Sequence, residues 1–161
     1  MHHDEQVRLI QRALALIEAG ASERGEPTFS PVSRYLDPAR FEAERERLFR
    51  ALPIAVCASG SLAAAGDSLA LDVAGVPLLL ARGEGGELNA FINACRHRGA
   101  RLLGDGAHHH QRAFICPYHS WTYGLDGALR GRPHAADFPH APPERCSLAR
   151  VPVGEALGLV W

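Results

Sequence analysis

Cys95-Arg96-His97-Arg98-Gly99 is the first of two stretches that decide the fold of this chain, and Cys116-Pro117-Tyr118-His119-Ser120-Trp121 is the second. The 18 residues between His97 and Cys116 separate them. Each stretch offers one thiolate and one imidazole to a metal. Zinc fingers group their ligands by type, two cysteines and then two histidines. Here a Cys-x-His loop precedes a Cys-x-x-His loop, so the two ligand types alternate along the chain.

This alternation favours a binuclear iron-sulfur centre. In a Rieske [2Fe-2S] centre, one iron takes two cysteines and the other iron takes two histidines. Two loops that approach such a cluster from opposite sides can each give one ligand to each iron. We therefore interpret Cys95 and Cys116 as ligands of one iron, and His97 and His119 as ligands of the other. A zinc ion held by the same four side chains, and four side chains that bind no metal, are the alternatives.

The residues around these ligands resemble one family. The sequences CRHRGA at 95–100 and CPYHSWTYGLDG at 116–127 look like the Rieske domain in the large subunit of Rieske non-heme iron oxygenases, which include ring-hydroxylating dioxygenases and demethylases. The resemblance covers most of the chain, including residues 31–49, 89–93 and 158–161. It implies an antiparallel β Rieske domain, similar to other Rieske iron-sulfur proteins, with cluster-binding hairpin loops.

The resemblance also predicts a low reduction potential among Rieske centres. In the Rieske proteins of respiratory bc complexes, a disulfide joins the two cluster loops, and its cysteines correspond to Ala100 and Tyr118 here. Trp121 stands where those proteins have a serine that bonds a cluster sulfide, whereas Tyr123 matches their tyrosine. Fewer hydrogen bonds to cluster sulfur leave the reduced state less stabilised. We expect a potential in the lower part of the roughly −150 to +300 mV range.

Length and composition indicate one ordinary globular domain. The chain has 161 residues, 47% of them hydrophobic and 22% charged. Its formal net charge of −1 gives no electrostatic case for a nucleic-acid partner. The N-terminus does not resemble a secretory signal, and no apolar run reaches the roughly 18 residues of a membrane span. We expect a cytoplasmic protein without a membrane segment, in which Cys57 and Cys146 are free thiols.

Two helices are predicted in the first 52 residues. The first is expected to start at an Asp4 cap and to end at Gly20. Its apolar residues recur at helical spacing, at Val7, Ile10, Leu14 and Ile17. The second is expected to have Asp37 as its cap and Pro38 in its first turn. Its core-facing residues are predicted to be Phe41, Leu48 and Phe49.

From residue 53 onward, short apolar runs separated by glycine-rich turns predict β structure. The predicted strands are 53–57, 69–73, 76–81, 88–93 and 114–116. Hairpin turns are predicted at 83–86 and at Asp126-Gly127. The chain is therefore predicted to be mainly β with N-terminal helices, divided into an N-terminal helical segment at 1–52 and a Rieske domain at 53–161.

Two other groups of histidines deserve comparison with metal sites. His134, Asp137 and His140 could imitate the two-His, one-carboxylate triad of a mononuclear iron, but the prolines around them predict a loop. The run His108-His109-His110 is predicted to be an exposed polar loop that binds metal adventitiously at most. The resemblance implies that mononuclear Fe(II) belongs to a catalytic domain that this chain lacks and that would lie beyond Trp161.

The resemblance implies that this chain is the electron-transfer domain of a Rieske mono- or dioxygenase. Single electrons would come from an NAD(P)H-linked reductase or a ferredoxin. They would pass across a subunit boundary of a homo-trimer to the mononuclear iron of a neighbour, where O₂ and an aromatic or similar organic substrate react. A free-standing ferredoxin-like Rieske carrier is the alternative, and a structural zinc domain is a weaker one.

The surroundings of the ligands carry three further expectations. The imidazole edges of His97 and His119 should lie at the surface, where electrons leave. Trp121 should pack over the cluster as a cover. Nearby arginines could attract an acidic electron donor or could simply be solvated charges; these are Arg96, Arg98, Arg101 and Arg112.

Overall fold

The computed structural model describes residues 2–106 and 108–161 and consists of two compact units, Met1–Pro38 and Ala39–Trp161. The first unit contains helices α1 (His3–Glu18) and α2 (Ser33–Leu36). Helix α3 (Pro38–Glu44) starts at the boundary and continues as a π-helical turn, Arg45–Phe49. Among the described residues, no helix is long and apolar enough to cross a membrane.

Helix α1 confirms the predicted end and corrects the predicted start. Its N-cap is His2, whose carbonyl accepts the first helical bond from Gln6 N–H at 3.1 Å. Asp4 is therefore not the cap; it lies in the first turn, where its charge still complements the helix dipole. At the other end Gly20 has φ +58°, and Ala21 N–H bonds to the carbonyl of Leu16. This is a Schellman ending, which requires a left-handed residue that glycine supplies.

The predicted second helix is divided by Asp37. This residue has an extended backbone, with ψ 112°, and it separates α2 from α3. Pro38 begins α3, as predicted, because its fixed φ and missing N–H suit a first helical turn. The prediction that Phe41, Leu48 and Phe49 face the core is wrong, since they are 62%, 48% and 52% exposed. Phe41 and Phe49 instead line an open apolar groove of about 430 Å³ beside β2.

Antiparallel strands build the second unit. In the described part of the chain they are β1 (Cys57–Ala58), β2 (Asp67–Val73), β3 (Val76–Arg82), β4 (Leu88–Ile92), β5 (His108–His110), β6 (Ala113–Ile115), β7 (Thr122–Gly124), β8 (Leu129–Gly131), β9 (Glu155–Ala156) and β10 (Leu159–Val160). They form three sheets in the orders β1-β10-β9, β4-β3-β2-β5 and β6-β7-β8. Single 3₁₀ turns lie at Ser59–Leu62, Ala135–Asp137 and Pro143–Cys146. The mainly β prediction is confirmed.

Four predicted strands coincide with β2, β3, β4 and β6 to within two residues. The prediction for 53–57 is wrong over most of its length, because β1 pairs only at Cys57 and Ala58. The run at 108–110 forms a strand and not a loop, since it pairs with β2 while remaining exposed. The two- and three-residue strands β7 to β10 were missed because segments so short show no periodicity.

Strand β3 is the centre of the core because both of its faces are buried. On one face, Leu79 and Ala81 pack with Phe91 of β4 and with the segments that carry the two ligand loops. On the other face, Leu80 belongs to a second cluster with Leu62, Leu69, Ala90 and Val160. The four-stranded sheet therefore separates the ligand loops from the small sheet formed by β1, β9 and β10.

The buried Arg82 joins β3 to β9. Its guanidinium donates to both carboxylate oxygens of Glu155, at 2.9 and 3.1 Å, and to the carbonyl of Leu62 at 2.7 Å. Arg82 is only 9% exposed, so its charge needs these partners. The hydrogen bonds from Arg82 hold the pKa of Glu155 below its ordinary value. The ion pair therefore couples the small sheet to the centre of the fold.

The turns at 83–86 and at Asp126-Gly127 are confirmed, and two further turns have an unusual first residue. Ala74-Gly75 joins β2 to β3, with φ +51° and +77°. Leu157-Gly158 joins β9 to β10, with φ +56° and +75°. Two positive φ values are typical of a type I′ hairpin turn, whose preferred sequence is Asn-Gly. Alanine and leucine in this conformation cost free energy, because their Cβ crowds the backbone.

We expect Ala74→Asn and Leu157→Asn each to raise the free energy of unfolding by about 0.5–1 kcal/mol, because asparagine tolerates the left-handed conformation better. Urea titration should show a higher midpoint with an unchanged slope. Ala63→Asn is the control, because Ala63 has φ −77° and ψ −36° and should gain nothing. Equal gains at all three positions would contradict this account of the turns.

We expect Glu155→Gln to lower stability at neutral pH and to make stability less dependent on acid pH. A carboxyl group whose pKa is lowered on folding stabilises the protein above its unfolded pKa, and this contribution is lost as the pH falls through the folded pKa. The stability gap between wild type and Glu155→Gln should therefore narrow below the ordinary glutamate pKa of 4.5. Chemical unfolding at a series of pH values measures the gap, and Glu84→Gln in an exposed turn is the matched control. A gap that stays constant down to strongly acid pH would refute the prediction.

Candidate metal centre

The two predicted ligand loops, residues 95–100 and 116–121, have the same backbone hydrogen-bond pattern. In the first, Cys95 N–H donates to the carbonyl of Ala100 and Gly99 N–H donates to the carbonyl of Cys95, both at 2.8 Å. In the second, Cys116 N–H donates to the carbonyl of Trp121 at 2.8 Å and Ser120 N–H donates to the carbonyl of Cys116 at 3.0 Å. Each loop is thus a closed six-residue unit that begins at its cysteine.

Both loops turn at a left-handed residue in the fifth position. Gly99 has φ +76° and Ser120 has φ +57°. The sequence indicated the first of these, because glycine adopts this conformation without steric cost. It did not indicate the second, because serine is not a preferred left-handed residue. The hydroxyl of Thr122 supports this turn by donating to the carbonyl of Ser120 at 3.2 Å.

The strands and one buried amide place the loops. Cys116 follows β6 directly and β7 begins at Thr122, so the second loop is the tip of a hairpin. The first loop follows β4, and Asn93, the residue directly after this strand, is 1% exposed. Its side-chain amide donates to the carbonyl of Leu103 at 2.8 Å and accepts from Leu102 N–H at 2.9 Å. Asn93 thereby fixes the segment on the far side of the first loop, a role that the sequence did not reveal.

The four predicted ligands come together as two pairs. Cys95 and Cys116 are 3% and 2% exposed, and the Cys116 thiol lies close enough to raise the pKa of Cys95. The rings of His97 and His119 have centroids 4.6 Å apart at 71°. Among the described residues, no three His, Cys, Asp or Glu side chains converge on one ion. Two pairs suit two metal ions with two protein ligands each, as in a Rieske cluster.

The histidine nitrogens test whether a cluster fits these residues. Nδ1 of His97 and Nδ1 of His119 are both buried and have no hydrogen-bond partner. A buried polar atom without a partner costs free energy, so two of them in one place need an explanation. Nitrogen atoms that bind iron are satisfied by the metal. The residues present therefore fit a [2Fe-2S] cluster.

Tyr123 supports the cysteine side of the site. Its buried hydroxyl lies 3.2 Å from Sγ of Cys95 and accepts a hydrogen bond from Arg96 N–H at 3.0 Å. The hydroxyl proton is then free to point at the sulfur, where it stabilises a thiolate. Burial and the bond to Cys95 raise the pKa of Tyr123, so this proton stays in place over the physiological range.

Burial favours the neutral forms of Cys95 and His97. It raises the pKa of the Cys95 thiol, and the hydrogen bond from Tyr123 only partly opposes this effect. Burial also lowers the pKa of His97, with further contributions from His119 and Arg98. A coordinated thiol loses its proton to the charge of the metal, whereas a histidine ligand must be neutral. The site thus favours a neutral His97 and leaves the thiolate of Cys95 to be stabilised by a cation.

Aromatic rings lie against both histidines. Trp121 is 3% exposed and its ring is stacked on that of His97. The two ring centroids lie 5.0 Å apart and the ring planes differ by 7°. His97 and His119 are half-buried, so neither is as open as the prediction of surface histidines implied. The ring centroid of Tyr118 lies 3.7 Å from that of His119, and Tyr118 is 60% exposed. The surface around the site is therefore partly aromatic.

Other predicted residues lie apart from this arrangement. His134, Asp137 and His140 form no three-ligand group in the described chain, and the same holds for the exposed run at 108–110. The arginines divide into two kinds. Arg101 forms ion pairs with Asp72 and Asp105. Arg96, Arg98 and Arg112 are exposed.

Cys57 and Cys146 are free thiols, as predicted, because neither is in a disulfide. Cys146 is buried in the core cluster that also contains Cys95 and Cys116, and its thiol lies 3.8 Å from the carbonyl of Ala141. Cys57 is half-buried in β1. Both are ordinary packed cysteines in this structure.

Antiparallel sheets with a Cys-x-His loop and a Cys-x-x-His loop define a class of small iron-sulfur domains. The profile of the Rieske [2Fe-2S] domain family matches residues 53–150. The chain therefore belongs to the Rieske [2Fe-2S] domain family, and its cofactor is a [2Fe-2S] cluster.

Its relatives are subunits of oxygenases. The carnitine monooxygenase oxygenase subunit of Escherichia coli (strain K12) is 34% identical over 131 residues, which are 81% of this chain and 35% of that protein. The quaternary ammonium Rieske monooxygenase CntA in complex with L-carnitine has a TM-score of 0.74 and 32% identity, over 81% of this chain and 37% of that one. Naphthalene 1,2-dioxygenase with indole bound has a TM-score of 0.68 and 25% identity, over 74% of this chain and 27% of that one. The chain thus spans about a third of the length of such relatives and corresponds to the N-terminal Rieske domain of an oxygenase large subunit.

We expect Asn93→Ala to destabilise the first ligand loop and to speed the loss of the cluster. The substitution leaves buried N–H and carbonyl groups of Leu102 and Leu103 unpaired, at a cost of about 2–3 kcal/mol. Iron release to a chelator, followed by visible absorption, measures the effect. Asn89→Ala in the preceding strand β4 is the control, because Asn89 is also buried but its side chain bonds to Arg150. Equal release rates in the two variants would show that Asn93 does not support the loop specifically.

Proposed function

We propose that this chain is the electron-transfer domain of a Rieske oxygenase and that Cys95, His97, Cys116 and His119 bind its cluster. The observation that carries the proposal is the pairing of two buried thiols beside two imidazoles whose Nδ1 atoms are buried without partners. Cys95 and Cys116 would bind one iron, and His97 and His119 the other. When bound, a cluster of this kind takes up and releases one electron at a time.

The separation into pairs argues against a zinc site made from the same residues. A structural zinc ion needs four ligands around one point. The described residues offer no group of even three such side chains around one point. The sulfur ligands lie together and so do the nitrogen ligands, which matches a binuclear centre with chemically different irons.

The chain's own residues keep such a site rigid. Two backbone hydrogen bonds close each loop, so the ligands are held by the fold before any metal is bound. The Tyr123 hydroxyl lies 3.2 Å from Sγ of Cys95, where it can donate to a thiolate. Trp121 keeps water from the face of His97 on which it stacks. Rigid ligands and restricted water reduce the rearrangement that accompanies a change of charge, which suits electron transfer.

The surface around the site suits an acidic electron donor. Arg96 and Arg98 are exposed in the first loop, on either side of His97, and no carboxylate pairs with them among the described ion pairs. Arg112 lies elsewhere, in a pocket that Glu84 and Glu87 also line. Exposed charges of one sign steer an oppositely charged partner and accelerate its association. We infer that an NAD(P)H-linked reductase or a ferredoxin donates the electrons here, and that the partly open histidines His97 and His119 lie on the route by which they leave.

The larger context of the proposal comes from the relatives. In an intact oxygenase of this family, electrons from the Rieske domain would reach a mononuclear Fe(II) site of a neighbouring subunit in a homo-trimer, where O₂ is used. The relatives named above include a quaternary ammonium monooxygenase and a naphthalene dioxygenase. This range suits a domain that supplies electrons and leaves the choice of substrate to other parts of the enzyme. We place this activity in the cytoplasm.

We expect Cys116→Ser to abolish the visible absorption and the reduced-state magnetic resonance spectrum of the cluster, because an iron loses one of its thiolates. Wild type should bind two irons per chain, as a [2Fe-2S] cluster requires, and should take up one electron reversibly. Cys146→Ser is the matched control, because it removes a buried thiol that the proposal does not use. Iron analysis and redox titration provide the measurements. A colourless wild type that contains zinc, or a full Rieske spectrum in Cys116→Ser, would overturn the assignment.

A further inference from the structure

The rings of His97, Trp121 and Phe138 pack together at one side of the site. Trp121 is stacked on His97, and the ring of Phe138 meets both of them edge-on. The Phe138 centroid lies 5.6 Å from that of His97 and 5.4 Å from that of Trp121, at angles of 89° and 84°. Phe138 comes from the segment that follows β8, far in sequence from either ligand loop. A distant segment thus closes over one ligand.

Arg132 connects this segment to the rings. Its guanidinium carbon lies 5.8 Å from the centroid of Trp121 and 5.3 Å from that of Phe138, within cation–π distance of both. The same guanidinium donates to the carbonyl of Ala141 at 2.6 Å and to the carbonyl of Phe138 at 3.4 Å. Arg132 therefore holds the ring of Phe138 and also the backbone that carries it. We name Arg132, Phe138 and Trp121 the aromatic cover.

The other histidine has no comparable support in the described contacts. His119 meets the ring of Tyr118, which is 60% exposed. Among the described residues, Arg132 contacts neither His119 nor Tyr118, and its partners are Trp121, Phe138 and Ala141. The two imidazoles thus differ in how firmly their surroundings are fixed.

We propose that Arg132 is a positioning residue for the cluster: by fixing the aromatic cover, it keeps water and reagents away from the His97 side. This inference rests on the proposed ligand set, because it requires that His97 binds the cluster. Reduction adds a negative charge to the site, and water stabilises such a charge better than aromatic rings do. An intact cover therefore lowers the reduction potential and slows attack on the cluster.

The positive charge of Arg132 by itself raises the reduction potential. A variant that tests the aromatic cover must therefore retain this charge. Arg132→Lys retains the charge but loses the planar group that stacks on two rings and donates to two carbonyls. We expect its reduction potential to rise and its cluster to be bleached by an iron chelator about tenfold faster, which corresponds to about 1.4 kcal/mol. Arg130→Lys is the control, since Arg130 is ion-paired with Asp126 and does not contact the cover.

Substitutions of Phe138 separate the cover from general stability. Phe138→Ala should raise the potential and the bleaching rate as Arg132→Lys does, whereas Phe138→Tyr keeps the ring and should behave like wild type. Because both residues act through one cover, the effects of Arg132→Lys and Phe138→Ala should not add in the double variant. Thermal unfolding of each variant is measured in parallel.

The outcomes distinguish the two proposals. The Rieske spectrum of wild type tests the ligand set, and its absence would overturn both. If wild type shows the spectrum but Arg132→Lys has the wild-type potential and bleaching rate, the cover proposal is wrong, whatever the melting temperature of the variant. A raised potential and faster bleaching in Arg132→Lys and Phe138→Ala, with Arg130→Lys and Phe138→Tyr unchanged, would establish it.

Discussion

The two ligand loops can face each other because each closes on itself through the same pair of backbone hydrogen bonds. In each loop the cysteine N–H and the cysteine carbonyl are both used for this closure, and the chain turns at a left-handed residue, Gly99 or Ser120. This closure presents a buried thiol and an inward-facing imidazole nitrogen from a short segment. The remaining structure serves to bring two such loops together: the β6–β7 hairpin carries one, and β4 with Asn93 carries the other.

The sheet behind the loops explains why the site can combine rigidity with access. β3 is buried on both faces, so the core continues from the two proposed ligand cysteines through the sheet to the small sheet that Arg82 and Glu155 hold in place. The cysteines belong to this core, whereas the histidines lie half-buried at its edge. A Rieske cluster bound in this way would have a protected sulfur side and a nitrogen side near the surface. That arrangement suits a domain that exchanges electrons with partners.

The family places this chain among oxygenase subunits, and the chain spans about a third of such a subunit. The relatives differ in substrate, yet the features that build the candidate centre here are local to the two loops and their supports. The aromatic cover is different in kind, because it depends on the segment after β8 folding back onto His97. Under the proposal made above, Arg132 would tune the candidate centre without any change in the four proposed ligands.

The sequence by itself determined the features that depend on a few neighbouring residues. These include the alternating order of Cys and His residues, the turn at Gly99, the end of α1 at Gly20, the turns at 83–86 and at Asp126-Gly127, and the longer strands, because glycine conformation and side-chain periodicity are local properties. Only the tertiary structure decided whether Phe41 and Phe49 are buried, and whether the short run at 108–110 pairs as a strand. The tertiary structure also revealed the hydrogen bond between Asn93 and Leu102. It likewise revealed the contacts of Arg132 with the rings of Trp121 and Phe138. These contacts join residues that are far apart in sequence, and their energies exist only after the chain has folded.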